Sequence, residues 1–337
     1  MITLISSVVV FLLVVMLHEF GHFTVAKLSG IKVNEFSIGM GPKIFQKKKG
    51  ETAYSLRALP IGGYVAMEGE EENSHDPRAF NNAPIVKRMG VVLAGAFMNF
   101  VLAFIAFTLI FLILGYGSNE IDKIVENSPA EIAGLKSGDR IVEINGIKIK
   151  DIYDINALIS KNKERDLSFK IKRNSEERTF IIKPKYSDDN KMYLIGITSK
   201  LKHSTFKSFE IGAKRTFDMS LMILKSLKMI IDGSFKTEYL SGPIGVVQMI
   251  GSESSKGFLN FLQILALISV NLGVFNLIPI PALDGGKFLF LLFEALRGKP
   301  INEKFEQRLT LIGMSILFSL MIYVTIFNDI GRLFSKW

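Results

Sequence analysis

Apolar residues along this chain fall into four long runs separated by two stretches of mixed polarity. Residues 2–17 are almost wholly apolar, run into His18-Glu19-Phe20-Gly21-His22, and regain apolar character through Phe23, Val25 and Ala26. Crossing a bilayer takes about 20 helical residues at about 1.5 Å rise each. A span here must therefore carry the two histidines and the glutamate inside the membrane or at its edge. A cleaved signal peptide is the alternative, but no basic residue precedes the run and no A-x-A-like site follows it. Residues 89–116 form the longest run, with Asn99 its only strongly polar member. The third run, 258–281, contains Asn260, Gln263, Asn271 and Asn276, and 309–327 makes a plain fourth span.

The stretches between the runs read differently. Residues 34–67 alternate polar and apolar positions with glycine turns, which predicts a β-hairpin or small sheet. Within 118–204, short strands are expected at 120–126, 140–145 and 167–173, and a helix at 152–160. Residues 205–232 have the pattern of an amphipathic, lysine-bearing helix on the membrane surface. A linker helix packed on the soluble-looking 118–204 module fits that pattern equally well. The organisation expected is a first transmembrane helix at 1–26, a loop with a membrane-associated sheet at 27–88 and a second helix at 89–116. The α+β module at 118–204 follows, then a surface helix and connector at 205–257, a third segment at 258–297 and a fourth helix at 309–330. The fold class is a polytopic α-helical membrane protein with an inserted α+β domain.

Composition agrees with such a mosaic. The 337 residues are 48% hydrophobic and 22% charged, with a mean hydropathy of +0.31. That is high in apolar content for a soluble protein and high in charge for a bare bundle of spans. The absence of cysteine excludes a disulfide scaffold and any thiolate-held metal. The net charge of +9 is placed by topology: lysines and arginines crowd 27–88 and the short link 297–308. Both read as cytoplasmic by the positive-inside rule, so the N-terminus, the 118–204 module and the C-terminus are expected outside. No aromatic-interleaved basic stripe points to nucleic acid.

His18-Glu19-Phe20-Gly21-His22 is a His-Glu-x-x-His motif. Positions four apart share a helix face, so both imidazoles can meet one ion, and two nitrogen donors from one turn suit Zn²⁺. Glu19 stands where it can serve as general base. Two buried structural histidines are the plain alternative, but three ionisable groups in an apolar span are costly without a function. Hydrolytic zinc sites usually take a third protein ligand. His75 and His203 lie in polar stretches outside the spans, whereas Asp284 follows Pro279 and Pro281 at the end of the third apolar segment. The prolines break the helix at membrane depth, which is tolerated only in a protein-buried or watery place. A helix-capping role for Asp284 is the competing explanation.

HEFGH in the first span, together with NLIPIPALDGG at 276–286, resembles the site-2 proteases, the intramembrane zinc metalloproteases. The likeness is greatest to the bacterial regulator-of-sigma-E protease type. SIGMGPKIF, YSLRALPIGGYVAMEGE and LSGPIGV match further segments of that group, so the resemblance covers nearly the whole chain. It implies His18, His22 and Asp284 as ligands of one Zn²⁺, Glu19 as the catalytic carboxylate and Asn276 as a group holding the substrate backbone. It also implies single-span membrane substrates in the bilayer, such as anti-sigma factors after a first cut, and remnant signal peptides. The setting is then the bacterial plasma (inner) membrane, with the active site near the cytoplasmic side. SPAEIAGLKSGDRIVEING within 118–204 is similar to bacterial PDZ domains. This chain has room for one such domain, where the best-known relatives carry two, and as a size filter or a peptide binder it would act outside the membrane. Asn271 and Asn276 are candidates to line a water route to the metal. Two rivals remain: a catalytically inactive PDZ-bearing scaffold, which predicts a damaged motif, and a metal transporter, which predicts more spans or repeats.

Overall fold

The computed structural model describes residues 1–331 apart from 71, 73, 189 and 235–239. Part of the acidic run 68–72 and of the 205–257 connector thus lies outside the described residues. Four helices are long and apolar enough to cross a membrane: Ile2–Leu28, Ile85–Leu114, Phe258–Asn276 and Lys304–Ile330. The chain divides into two compact units, one of Met1–Ile110 with Phe209–Trp337 and one of Phe111–Ser208.

In the first unit, α1 (Ile2–Leu28) leads into β1 (Val33–Lys49) and β2 (Thr52–Met67), and α2 begins the next span (Ile85–Leu114). The two strands are long because each bends back on the other. Glu35–Ile38 of β1 has partners on both sides, Ala66 to Gly63 on one and Ala53 to Leu56 on the other, while Lys43 to Lys49 pairs with Arg57 to Thr52. The result is the small sheet expected at 34–67, with the Gly63–Met67 arm of β2 along one edge. Arg57 holds the bend: it donates to Ser37 Oγ at 3.0 Å, Gly41 O at 2.8 Å and Glu35 Oε1 at 2.9 Å, and also meets the Tyr64 hydroxyl.

The second unit is an α+β module, in keeping with the expected fold class. Its elements are β3 (Tyr116–Ile124), α3 (Pro129–Ile132), β4 (Arg140–Ile144), β5 (Ile147–Lys148) and α4 (Ile152–Asn162). Then come β6 (Leu167–Arg173), β7 (Glu176–Ile182), β8 (Lys185–Ser187), β9 (Met192–Leu194) and β10 (Ile197–Lys202). The main sheet runs β10-β3-β4-β6-β7. Alternation along β6 turns Leu167, Phe169 and Ile171 inward, where they meet Ile141, Ile144 and Ile155. The buried Asp139 carboxylate takes two hydrogen bonds from Arg173, each 2.7 Å, and so fastens the end of β6.

The chain returns through α5 (Thr205–Ile231), α6 (Pro243–Ser255), α7 (Phe258–Asn276), α8 (Asp284–Arg297) and α9 (Glu303–Val324), which ends in a π-helical turn, Thr325–Ile330. Part of the apolar surface of α5 packs on the spans, where Ile223, Met219 and Leu227 meet Phe107, Ala103, Val270 and Val274, while Phe206, Phe217, Met222 and Leu224 stay exposed. The connector expected after it contains α6, which lies against α1 and α7; Ile250 joins Val10, Val14 and Leu265 in one cluster. The last span is the least enclosed, with 11% of its apolar window buried, as suits a helix facing lipid.

Candidate metal centre

His18 and His22 sit one turn apart on α1, with ring centroids 4.7 Å apart and planes nearly perpendicular. The third group arrives from the broken helix. α7 stops at Asn276, the Pro279/Pro281 segment turns the chain, and α8 starts at Asp284. Ala282 adopts φ 90°, a left-handed conformation that L-residues other than glycine and asparagine rarely hold. Such strain persists only where surrounding packing enforces it. Here the enforcement is visible: a Cβ on Gly285, Gly286 or Gly313 would overlap the backbone of Leu277–Pro281, so α8 and α9 both press on that segment.

The three side chains converge. His18 Nε2 lies 3.1 Å from His22 Nε2, and Asp284 Oδ2 lies 3.3 Å from the former and 3.5 Å from the latter. A tetrahedral ion with bonds of about 2.0–2.1 Å has donor–donor edges of about 3.3–3.4 Å, so the triangle has the size zinc requires. Asp284 does not cap α8: the N-cap is Leu283, and Asp284 Oδ2 is buried without a hydrogen bond of its own. A buried lone pair facing two imidazole nitrogens is expensive unless a cation joins them. Among the described residues these three form the one cluster of His and carboxylate groups close enough to share an ion. His75 and His203 are exposed and take no part.

The second helix shapes the pocket. His22 Nδ1 donates to Val91 O at 2.8 Å, which leaves Nε2 free to act as a donor atom. Asn99 Nδ2 stands 3.1 Å from His18 Nδ1, and Asn276 Nδ2 stands 3.5 Å from the same nitrogen. Asn276 is thus beside the site, whereas Asn271 donates to Leu267 O within its own helix at 3.0 Å. Glu19 follows His18 toward the sheet: its Cγ is 3.4 Å from where a Cβ on Gly63 would be, and the Val65 amide reaches its carboxylate. Beyond it, Lys287 of α8 pairs with Glu70 at 2.6 Å and lies over the Phe80 ring. Arg88 grips Glu294 with two bonds of 3.0 and 2.5 Å, tying α2 to α8.

Reading the sequence alone singled out His18, Glu19, His22, Asn276 and Asp284, and the fold gathers all of them in one place. It left Asn99 and Gly95 without a role. Their signal was the position of a lone amide and a glycine four residues apart in an otherwise apolar span.

Two imidazoles and a carboxylate converging between membrane-length helices, with a second carboxylate alongside, define a metal-dependent hydrolase of the membrane-embedded kind. The chain belongs to peptidase family M50, whose profile matches residues 6–320, and it is a zinc metalloprotease. It is 40% identical over 325 residues to a protein of Clostridium acetobutylicum, covering 96% of each chain. It is 32% identical to the regulator of sigma-W protease RasP of Bacillus subtilis, over 98% of this chain and 99% of that one. The zinc metalloprotease RasP of Bacillus licheniformis is 31% identical over 98% of this chain and 99% of its own length. Among solved structures, the PDZ domain of an SdrC-like protein from Listeria innocua is 27% identical, covering 26% of this chain and 97% of that domain, at a TM-score of 0.23.

Proposed function

We propose that the protein is an intramembrane endopeptidase in which His18, His22 and Asp284 hold one Zn²⁺ and Glu19 is the catalytic carboxylate. The observation that carries this reading is the 3.1, 3.3 and 3.5 Å triangle of donor atoms, with an orphaned carboxylate oxygen at one corner. When bound, the ion supplies Lewis acidity to the scissile carbonyl and to water. Glu19 takes the proton from the attacking water and later delivers it to the leaving amine. Asn276, at the same rim, holds the substrate backbone through its carboxamide.

A helical substrate must open before an amide in it can be attacked. The Gly63–Met67 arm of β2 favours this, because one side pairs with β1 while Glu19 lies against Gly63 and takes the Val65 amide, which brings the arm to the catalytic carboxylate. An extended segment can add there as a further strand. The substrates are single-span membrane proteins, anti-sigma factors already trimmed by another protease among them, and remnant signal peptides. The name of the Bacillus subtilis relative, a sigma-W regulator, supports the first of these. We place the chain in the bacterial plasma membrane, with the N-terminus, the 118–204 module and the C-terminus outside and the cut near the cytoplasmic face. The lysines and arginines of 27–88 and 297–308 support that orientation.

The test is cleavage of a tagged single-span protein by the purified enzyme in detergent, with and without a chelator. Chelator-sensitive cleavage lost in Glu19→Gln is expected. Cleavage by Glu19→Gln at the wild-type rate would sink the mechanism, and full zinc occupancy in Asp284→Ala would remove Asp284 from the ligand set.

A further inference from the structure

We propose that Asn99, on the middle of α2, is the positioning residue for His18: its carboxamide oxygen accepts the Nδ1–H of the imidazole and fixes the tautomer whose Nε2 faces His22 and Asp284. The inference rests on the assignment of His18 as a metal ligand.

For His18 Nε2 to offer a lone pair within the donor triangle, a neutral ring must carry its proton on Nδ1. That N–H then needs an acceptor in a place closed to bulk water, for His18 is 8% exposed. Two groups face the ring: the Gly95 backbone oxygen, already engaged in the hydrogen-bond ladder of α2, and the end of the Asn99 side chain, 3.1 Å from Nδ1 on a residue with no exposed surface. With Nδ2 turned to the imidazole, two donors would confront each other and Asn99 Oδ1 would be left buried with no partner, as it stands. The two ends of a carboxamide are equal in shape, and turning it over brings Oδ1 to Nδ1–H, resolving both conflicts. The backbone at Asn99 is anchored as well, since the Ser269 hydroxyl, itself fully buried, donates to Asn99 O at 2.7 Å.

The neighbouring ligand shows the same device in another form. His22 Nδ1 is fixed by the backbone oxygen of Val91 at 2.8 Å. Val91, Gly95 and Asn99 are spaced by four, so they form one stripe along α2. Val91 orients one ring and Asn99 the other, and Gly95 between them leaves the rings room while bringing its backbone oxygen to His18. Asn276 stands farther from the same nitrogen, at 3.5 Å, and is partly exposed, which leaves it free for a substrate.

The test uses the full chain in detergent and reads metal, not turnover. Asn99→Val should weaken zinc binding about 10–100-fold in chelator competition, the loss typical of a removed partner of a liganding histidine. The ligand-field spectrum of the Co²⁺-loaded protein should change with it. Asn99→Asp, which keeps an acceptor oxygen, should restore both. Wild-type zinc affinity and an unchanged cobalt spectrum in Asn99→Val would overturn the proposal, as would the same loss in Asn276→Ala with none in Asn99→Val. His18→Ala run in parallel separates the two levels: zinc retained there defeats the ligand assignment itself. A measurement without any variant guards against misfolding. In ¹⁵N-histidine-labelled, zinc-loaded wild type, His18 should show a protonated, slowly exchanging Nδ1, and a bare Nδ1 would refute the role of Asn99.

Discussion

Gly95 of α2 lies flat against the His22 ring: a Cβ at that position would overlap His22 Nε2 and fall 2.6 Å from His18 Cε1. The two rings can converge only because α2 offers a hydrogen there, the small-residue contact by which membrane helices approach closely. Gly95→Ala should therefore swing His22 off the triangle. We expect zinc affinity to drop at least about tenfold, by analogy with loss of a ligand's supporting contact, with cleavage falling in step and membrane insertion unchanged. Gly90→Ala, whose Cβ would meet Val25 at an ordinary 3.8 Å, is the matched control and should behave like wild type. Zinc content by mass spectrometry on both variants decides the point.

Under the proposed roles, removing the metal and replacing Glu19 should look different. Glu19 is outside the donor triangle, so Glu19→Gln should keep zinc yet lose about 10²–10⁴-fold in kcat, the span usual for general acid–base groups. His22→Ala or Asp284→Ala should lose both. Dialysis against a chelator should abolish wild-type cleavage, and added zinc should restore it in the wild type but not in Glu19→Gln. Equal zinc loss in Glu19→Gln and Asp284→Ala would place Glu19 among the ligands instead.

These contrasts reflect what the sequence could and could not reveal. His18, Glu19 and His22 are legible because a helix turns four-residue spacing into proximity, and Asp284 because two prolines mark a broken helix in an apolar run. Asn99 was visible as an oddity without a meaning. Its partner His18 is 81 residues away in sequence, and no local periodicity reports a contact of that kind. The bend of β1 and β2 was equally hidden, since the double pairing of Glu35–Ile38 depends on Arg57 closing on Ser37, Gly41 and Glu35. For α5 the amphipathic pattern was plain, yet it cannot say whether the apolar face meets lipid, the module or other helices. The fold sets Met219, Ile223 and Leu227 against α2 and α7 and leaves Phe217, Met222 and Leu224 exposed.

The Arg57–Glu35 contact makes the small sheet sensitive to acid. Burial works against the Glu35 carboxylate, but hydrogen bonds from Ser55, Arg57 and Tyr64 outweigh it and hold the pKa below the ordinary carboxyl value. A folded value below the unfolded one means that stabilisation is complete above the unfolded pKa, about 4.3, and fades as pH falls through the lowered value. Amide exchange across 33–67, corrected for its intrinsic pH dependence, should be flat from neutrality to about pH 5 and rise below about pH 4. Glu51 and Glu68, also held low by lysine and serine partners, share in this loss. Glu35→Gln isolates the Glu35 part: it should loosen residues 33–38 and 63–67 already at neutral pH and flatten the acid rise there. Unchanged exchange in that variant would deny Arg57–Glu35 its role in the bend.

The segment LSGPIGV has a structural use that its likeness to other chains did not disclose. Asp329, 3% exposed in the π-helical turn at the end of the last span, accepts from Gly242 N at 2.9 Å and from Gly245 N at 3.0 Å. Its carboxylate thus caps the start of α6 from another helix, where free N–H groups and the helix dipole favour a negative charge. Glycine is needed at both positions, since a Cβ on either would come 2.6 or 2.7 Å from an Asp329 oxygen. Asp329→Ala leaves one buried and one half-buried donor unpaired, costing up to about 1–3 kcal/mol for the buried one and less for the other. We expect a clear drop in Tm in detergent, a smaller one for Asp329→Asn, which keeps a single acceptor oxygen, and one comparable to Asp329→Ala for Gly245→Ala. Zinc content at low temperature should stay at the wild-type level in all three, because the triangle is built from α1 and α8 and not from α6. Zinc lost together with the fall in Tm would instead mean that α6 supports the metal centre through α1.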